Sequence, residues 1–370
     1  FGKDFGWLSD KMLESINYKD TDVDWGAEVF EPTWNSRHTV GFQGGNDRAN
    51  LFVSINNVDN NGIFAGDKDL YKRLSLQVNA DYKIKKWLTI STNNSIEKWS
   101  TKSVSQHSDN GSALLAAITS SPLEPARVDY DGLTLEMKYK AGTGTQTVLK
   151  DPETGLYWSL SRLGETQSGN PFIRRDASDD SSGGINIRGT LAANLTLMKG
   201  LVFTSRFGYR INQSSSHSYQ APYYASSFVQ ATNYNLSASA NTGTYYQWEN
   251  FANYNKTIAK KHQIGLMAGM SYIENATDNV SASANGASIL KNTAPNFRYL
   301  NYILSDTSVA KTISNAPGLS TSMAYFGRIN YSYDNRYNFQ ANFRADAFDS
   351  SKLSKQNRWG YFPSFSAGWT

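Results

Sequence analysis

Four histidines are the residues of this 370-residue chain best suited to acid–base or metal chemistry, because the sequence contains no cysteine. They are His38, His107, His217 and His262. None has another histidine or a carboxylate three or four residues away, which is the spacing a zinc-protease helix requires. His262 directly follows a Lys-Lys turn, so an interfacial position is expected for it. The sequence therefore predicts no catalytic centre and no enzyme.

Two groups of aspartates are the other candidates for chemistry. Asp176, Asp179 and Asp180 form one group, and Asp129 and Asp131 form the second. Calcium prefers carboxylate oxygens, but the spacing of an EF-hand loop and its closing glutamate are absent from both groups. We expect solvated loop carboxylates here. Calcium in a loop is the single metal hypothesis that the sequence leaves open, and no other cofactor is predicted.

The elements that must position any site are long segments of alternating polarity. Apolar and polar residues alternate with a period of two, the pattern of strands with two different faces, over 74–82, 185–197, 201–211, 264–272 and 337–343. Each runs for about ten residues, near the length of a tilted strand that crosses a bilayer. Strands of water-soluble proteins usually stop at five or six residues. Only 18% of the residues are charged, and the net charge of +4 is too small and dispersed to indicate a nucleic-acid partner.

The connections alternate between short polar turns and long segments. Long connections are predicted near 59–69, 101–182, 214–242, 276–319 and 347–358, with 214–242 and 276–319 rich in Ser, Ala, Asn and Thr. Outer-membrane barrels have short periplasmic turns and long extracellular loops. The fold class predicted is therefore all-β, an antiparallel transmembrane β-barrel of about eleven strands. Four of these strands are expected over 184–197, 201–213, 244–257 and 262–275. Because an open edge in lipid leaves backbone groups unpaired, and single-chain barrels normally have an even strand number, we expect further strands downstream.

Three sets of residues are candidates for contact with a substrate or a partner. An apolar run that includes Leu114 and Leu115 should pack on something, since an unburied run on a surface loop is a liability. The aromatic side chains of the 217–234 loop offer rigid contact area with polar tips, although packing within the loop is an alternative. These are Tyr219, Tyr223, Tyr224, Phe228 and Tyr234. The third set should face the lumen, to guide a solute or to hold a plug, and comprises Arg188, Arg206, Arg210, Arg328 and Arg344.

Several motifs in collinear order resemble the SusC/RagA-like family of TonB-linked outer-membrane transporters. They include DVDWGAEVF at 22–30, NSRHTVGFQGG at 35–45, LFVSINNVDNNGIF at 51–64, SGNPF at 168–172, MKGLVFTSRFGYRIN at 198–212 and NRWGYFPSFSAGW at 357–369. The segment FRADAFDSSKL departs from the run usual in the family, so no role is transferred to Asp346 or Asp349. Counterparts of the family's plug, TonB box and last strands are not found, so the resemblance covers mainly the first half of a barrel.

The resemblance implies a plugged barrel of about 22 strands. Residues 1–36 would then link the plug to the barrel, and 37–370 would form the N-terminal part of the TonB-dependent receptor β-barrel domain. It also implies active import of an oligosaccharide or a peptide across the outer membrane of a Gram-negative bacterium. The implied partners are a SusD-like lipoprotein, the TonB complex acting through the N-terminal region, and outer-membrane lipid, with a dimer of transporter–lipoprotein pairs as a further expectation.

Three alternatives remain at this point. A passive porin or adhesin barrel would have no plug. An outer-membrane hydrolase would need a Ser/His or Asp/His constellation near the loops, which the scattered histidines do not supply. A soluble β-sandwich would have strands of about five residues and no side preference for its long loops.

Overall fold

The computed structural model describes residues 21–104, 113–133, 135–143, 146–159, 169–225, 228–304, 309–349 and 353–370. Eleven long strands form one antiparallel sheet in which neighbours in sequence are neighbours in space. Their bounds are β1 Asn35–Gly45, β2 Ala49–Asn61, β3 Leu70–Lys85, β4 Leu88–Lys102, β7 Ser178–Met198, β8 Leu201–Gln220, β11 Tyr234–Ile258, β12 His262–Gly286, β14 Gly318–Tyr333, β15 Tyr337–Asp349 and β16 Trp359–Trp369. The predicted fold class, part of an antiparallel barrel with about eleven strands, is confirmed.

Short elements fill the long connections between these strands. Two pairs of two-residue strands, β5 Arg127–Val128 with β6 Tyr157–Trp158 and β9 Tyr223–Tyr224 with β10 Gln230–Ala231, form small ribbons. The helices are α1 Trp25–Val29, α2 Ala113–Thr119, α3 Leu135–Thr143 and α4 Pro171–Ala177. One further strand, β13 Ala310–Asn315, pairs with the far end of β12. No helix among the described residues is long and apolar enough to cross a membrane.

Short and long connections alternate as the sequence predicts. Hairpin turns of two or three residues close one end of the sheet, at 46–48, 86–87, 199–200, 259–261 and 334–336. Left-handed backbone at Gly200, at Ala259 and Lys260, and at Asp334 and Asn335 lets the chain reverse within these turns. All connections longer than five residues lie at the opposite end, which we call the long-loop end.

The register places the apolar rows on one face of the sheet. Val40 lies opposite Ile55, Ile55 opposite Leu76 and Leu76 opposite Ile96, and the row continues through Ile187 and Ile211. On the same face, in the later strands β12 to β16, Leu266 pairs with Ile329, Ile329 with Ala341 and Ala341 with Phe365. These side chains are largely exposed in the protein alone, with Phe365 at 81% and Ile55 at 51%. A face this apolar and this exposed is one that lipid covers.

The exposed apolar rows form a belt across the sheet, which we call the apolar belt, and its position along the strands shifts from one strand to the next, as expected for tilted strands. On β3 the last apolar residue of the belt towards the long-loop end is Leu74, and the next residue on that face is Lys72. On β12 the last apolar residue is Tyr272, and the next residue on that face is Glu274. The register carries Tyr272 through β11, β8, β7 and β4 to Ala80 on β3, six residues from Leu74 over five strand steps. A stagger of six residues over five strands, with ~3.3 Å per residue and ~4.8 Å between strands, corresponds to a tilt of roughly 40°. This tilt is the one that membrane barrels use.

Aromatic side chains mark the belt's boundaries. Tyr333, Tyr337 and Trp369 are in register at the short-turn end, and Phe207, Trp248 and Tyr272 are in register nearer the long-loop end. Such rows are typical of the two membrane interfaces. Trp99 lies on the opposite face of β4 from Ile96, because the two residues are three positions apart along the strand.

Two segments predicted as loops are in large part strands. β8 continues to Gln220, β11 begins at Tyr234, and β12 continues to Gly286, so the predicted loops 214–242 and 276–319 are corrected. The sequence was misleading here because Ser, Ala, Asn and Thr fill both faces of strands that leave the lipid, which removes the alternation. β7 likewise starts at Ser178, not at 184. We call these additions the strand extensions.

Candidate functional site

The five arginines predicted to face the lumen lie on one face of the sheet, opposite the apolar belt. Three have polar partners there. Arg206 pairs with Glu249 across β8 and β11, with 2.6 Å between Nη2 and Oε2, and Arg344 pairs with Asp346 two residues along β15 at 2.8 Å. Arg328 donates from Nε to Asn342 Oδ1 at 2.7 Å. The inner face of the sheet therefore holds charge that the apolar face excludes.

The other two arginines lie directly opposite one another. Arg188 on β7 is the register partner of Arg210 on β8, and both are exposed. Arg210 stacks over the Tyr245 ring, with Cζ 5.4 Å from the ring centroid. Within the described part of the chain, neither arginine makes an ion pair. Like charges directly opposite on a sheet repel, so the positive charge at this position is uncompensated within the described part of the chain.

Uncharged polar side chains cover much of the remaining inner wall. A groove of about 720 Å³ near the short-turn end is lined by amides and hydroxyls, among them Asn255, Gln263, Asn330, Asn338, Gln340 and Ser366. Gly265 and Gly368 also line the groove and, having no side chains, do not project into it. Amide and hydroxyl groups both donate and accept hydrogen bonds, so they suit a neutral hydroxylated or amide-bearing surface.

The structure does not bring the five loop aromatics together. Tyr219 and Tyr234 lie on the strand extensions, with ring centroids 6.2 Å apart, and pack with Leu236, Ala284 and Ile289. Tyr223 and Tyr224 are buried in a separate cluster, and Phe228 is 60% exposed. Leu115 is half-buried on α2, while the side chain of Leu114 lies outside the described residues. Contact with a partner stays a prediction for this whole set.

The separate cluster joins α1 and three connections at the long-loop end, and we call it the loop cluster. Its buried residues come from α1, the 62–69 connection, the long 103–177 connection and the 221–233 connection. They are Trp25, Val29, Phe64, Ala126, Leu133, Met137, Val148, Trp158, Phe172, Ile173, Ala177, Tyr223, Tyr224, Ala225 and Val229. Loops are thus held by an apolar core of their own.

Two arginines enclose an aromatic pair at the centre of the loop cluster. The rings of Trp158 and Phe172 stack with centroids 4.5 Å apart. Arg127 Cζ lies 4.8 Å from the Trp158 ring centroid, and Arg175 Cζ lies 4.7 Å from that of Phe172. Cation–π contacts of this kind are strengthened where water is excluded. The sequence analysis missed these four residues; the available signal was Asn170 before Pro171, a helix start whose cap the structure confirms.

Carboxylates anchor both arginines. Arg127 donates from Nε to Asp151 at 2.6 Å and from Nη1 to Glu28 at 2.7 Å. Burial alone would raise the pKa of Asp151, but hydrogen bonds from the Glu153 backbone N–H, Arg127 and Thr154 outweigh it and hold that pKa below its usual value. Arg175 pairs with Asp176, which also accepts from Trp158 Nε1 at 2.8 Å.

The predicted acidic groups are engaged with cations and backbone. Asp179 lies 3.6 Å from Arg298, and Asp180 accepts from Ser218. Asp129 accepts from the backbone N–H of Gly132. Within the described ranges, no three His, Cys, Asp or Glu side chains come together as a metal site requires. Calcium binding stays a prediction.

Three of the four histidines are in described segments, and His107 lies outside them. His217 Nε2 is 2.7 Å from the Arg298 carbonyl oxygen, and its ring lies against Tyr299. His262 Nδ1 is 2.8 Å from the Tyr331 hydroxyl, at the aromatic row near the short turns. His38 lies on β1. No two of these three are brought together by the register.

A sheet of long tilted strands with an apolar belt, interfacial aromatics and a polar inner face defines an outer-membrane β-barrel protein. No protein-family model matches the chain. A TonB-dependent receptor of Formosa agariphila is 24% identical over 360 residues, which cover 94% of this chain and 31% of that receptor. The TonB-dependent receptor SusC of Bacteroides thetaiotaomicron is 22% identical over 373 residues, covering 97% and 33%.

Among solved structures, the RagAB peptide transporter superposes with a TM-score of 0.71 at 20% identity, covering 94% of this chain and 35% of that one. The chain spans about a third of the length of the relatives it matches. The chain is therefore similar in sequence to TonB-dependent receptors, SusC among them, and similar in fold to the RagAB transporter.

Proposed function

We propose that this chain forms part of the wall of an active importer, which carries a nutrient across the outer membrane with energy from TonB. The observation that carries the proposal is the division of the sheet into two faces. A wall that is apolar outside and lined inside by amides, hydroxyls and arginines allows a polar solute to cross lipid without meeting it. The relatives are TonB-dependent receptors by name, and transport by this class involves no covalent chemistry.

An oligosaccharide is the cargo that we propose first, and a peptide is the second candidate. Amide and hydroxyl groups of the inner wall match the many hydroxyls of a glycan, and the similar curated receptors include SusC. The peptide alternative rests on the likeness to the RagAB peptide transporter. We also propose a SusD-like lipoprotein as the partner at the long-loop end, where the loop cluster offers a preformed surface.

Uptake by cells carrying the intact receptor tests the proposal. Labelled oligosaccharides and peptides of matched size are offered with and without TonB, and with and without an uncoupler of the inner-membrane proton gradient. We expect accumulation of one cargo class that is lost when TonB or the gradient is removed. Uptake that persists without either one would identify a passive pore and overturn the proposal. Co-purification with an affinity-tagged receptor tests the lipoprotein separately.

The facing arginines provide a finer test inside the wall. The double substitution Arg188→Gln and Arg210→Gln removes two positive charges from the inner face without altering the apolar belt. If anionic groups of the cargo pass this point, uptake of acidic cargo should fall more than that of its neutral counterpart. Arg37→Gln on β1 is the matched control, since it is exposed at the edge of the described sheet. Equal losses for both cargoes would exclude a charge effect.

A further inference from the structure

Three lysines lie on the outer face of the barrel, directly beyond the apolar belt at the long-loop end. On β3 the row passes from Leu76 and Leu74 to Lys72, and on β4 it passes from Ile96 to Lys98 and then to Lys102. Successive residues of such a row are about 6.6 Å apart. Ser100 lies between the two β4 lysines and directly opposite Lys72, so the three lysine positions adjoin this one serine on the same face of the sheet.

A groove with polar groups among its lining residues continues from these lysines across the strand extensions. It has a volume of about 650 Å³, and its lining combines Lys72, Ser100, Lys102, Ser181, Ser215 and His217 with the apolar Leu70 and Ala238, while Tyr299 forms one wall. Lys102 is the register partner of Ser181, and Ser181 is that of His217. Tyr299 is held by its ring contact with His217, and its neighbour Arg298 by Asp179. The wall that Tyr299 forms is therefore held in place by these two contacts.

The charges of this groove are not fully compensated. Lys98 and Lys102 are exposed and make no ion pair within the described ranges. Lys72 lies 3.3 Å from Asp59, but both side chains are about half exposed. The corresponding boundary on β12 is acidic, with Glu274 and Asp278 on the same outer face. At the long-loop boundary of the apolar belt, positive charge is thus found on β3 and β4, whereas β12 carries negative charge.

We propose that this groove binds the phosphorylated sugar headgroup of a glycolipid in the outer leaflet. The order of the residues along the strands carries the assignment. Leu74, Leu76 and Ile96 lie at the depth of acyl chains, the lysines lie at the boundary where headgroup phosphates lie, and the serines, His217 and Tyr299 follow at the height of sugars. Basic residues next to the apolar surface attract anionic headgroups.

The experiment measures binding of lipid A to the intact receptor in detergent by native mass spectrometry. Lipid A with its phosphates is compared with lipid A from which they have been removed. The substitutions Lys72→Ser, Lys98→Ser and Lys102→Ser, made together, should weaken binding of the phosphorylated form by roughly tenfold or more. The same three positions changed to arginine should retain binding, which keeps the test decisive if the serine variant folds poorly.

Three lysines at the other end of the same sheet are the matched control. Lys85→Ser, Lys86→Ser and Lys199→Ser remove equal charge near the short turns and should leave lipid A binding unchanged. Equal loss in both triple variants would show that net charge alone matters and would overturn the proposal. Equal binding of phosphorylated and dephosphorylated lipid A would overturn it as well. So would a change in oligomeric state without a change in lipid binding, which would assign the face to a protein contact.

Discussion

Arg127 connects several parts of the loop cluster through Glu28, Asp151 and Trp158. Its guanidinium bridges α1 and the 146–159 segment through Glu28 and Asp151, while its flat side lies against Trp158. The Asp151 side chain is only 4% exposed, so loss of its partner leaves a nearly buried carboxylate uncompensated. Arginine is required here because a planar fork can bond two carboxylates and stack at the same time.

We predict that Arg127→Met destabilises the loop cluster by about 1–3 kcal/mol, the cost of an unpaired, partly buried charge. The expected observation is faster proteolysis of the long connections while the sheet remains resistant. Arg37→Met, an exposed arginine on β1, serves as the control and should leave the rate unchanged. Unchanged loop proteolysis in Arg127→Met would contradict the assignment.

The lowered pKa of Asp151 makes the loop cluster sensitive to acid. Because folding favours the ionised carboxylate, its contribution is complete above the usual pKa of 3.8 and is lost as the pH falls through the lowered value. We predict that pepsin cleaves the loops progressively faster as the pH is lowered from about 4 to about 2. Asp151→Asn cannot titrate, so its loops should be cleaved with a flatter pH profile. An identical profile in the two proteins would rule out Asp151 as the group responsible.

At the scale of the strand, the face on which a residue lies decides whether a charged substitution is tolerated there. Leu76 and Asn79 are three residues apart on β3, and the odd spacing puts them on opposite faces. Leu76 lies within the lipid-facing row and Asn79 on the polar inner wall. A charge therefore has very different surroundings at the two positions.

We predict that Leu76→Arg lowers the free energy of unfolding by about 1–3 kcal/mol, because a lipid-facing charge costs roughly 2–4 kcal/mol at midplane and roughly 0–1 kcal/mol near an interface, and Leu76 lies between the two. Asn79→Arg should cost less than about 1 kcal/mol, because its side chain reaches water. Guanidinium titration in lipid vesicles, followed by tryptophan fluorescence, measures both. Equal destabilisation would contradict the assignment of the two faces of β3, and a larger loss in Asn79→Arg would show that it is reversed.

Strand pairing could be predicted from sequence wherever lipid imposes alternation. The segments 262–275 and 337–346 fall within β12 and β15, because lipid on one side and water on the other force a period of two. The strand extensions could not be found in this way, since both faces of 276–286 leave the bilayer and carry small polar residues. There the backbone hydrogen bonds of neighbouring strands, which have no side-chain signature, decide the structure.

The candidate site was only partly predictable for a related reason. Parity along a strand placed Arg188, Arg206, Arg210, Arg328 and Arg344 on one face, as the alternation implied. The loop cluster depends on contacts between residues far apart in sequence, such as Arg127 with Glu28, which no local pattern encodes. The aromatic residues of 217–234 were grouped by proximity in sequence, whereas the ends of β8 and β11 divide them between two cores.

At the scale of the molecule, the protein has two kinds of stability. The sheet buries few large side chains within the protein, and its apolar belt is buried only by lipid. The loop cluster, by contrast, has a core of its own, with Trp158, Phe172, Met137 and Ile173 all at most 1% exposed. A protein built in this way should open in separate steps, because its two parts bury their apolar area in different solvents.

We therefore predict that the two parts respond independently to mutation. Phe172→Ala removes half of the stacked aromatic pair and should destabilise the loop cluster by about 3–5 kcal/mol, which accelerates loop proteolysis. The fast migration of the unheated barrel on electrophoresis should not change. Leu76→Arg should weaken the unheated form without exposing the loops, and the double variant should show the two effects added together. Loss of the heat-modifiable form in Phe172→Ala alone would show that the loop cluster is needed to hold the sheet together, and the separation argued from burial would then be wrong.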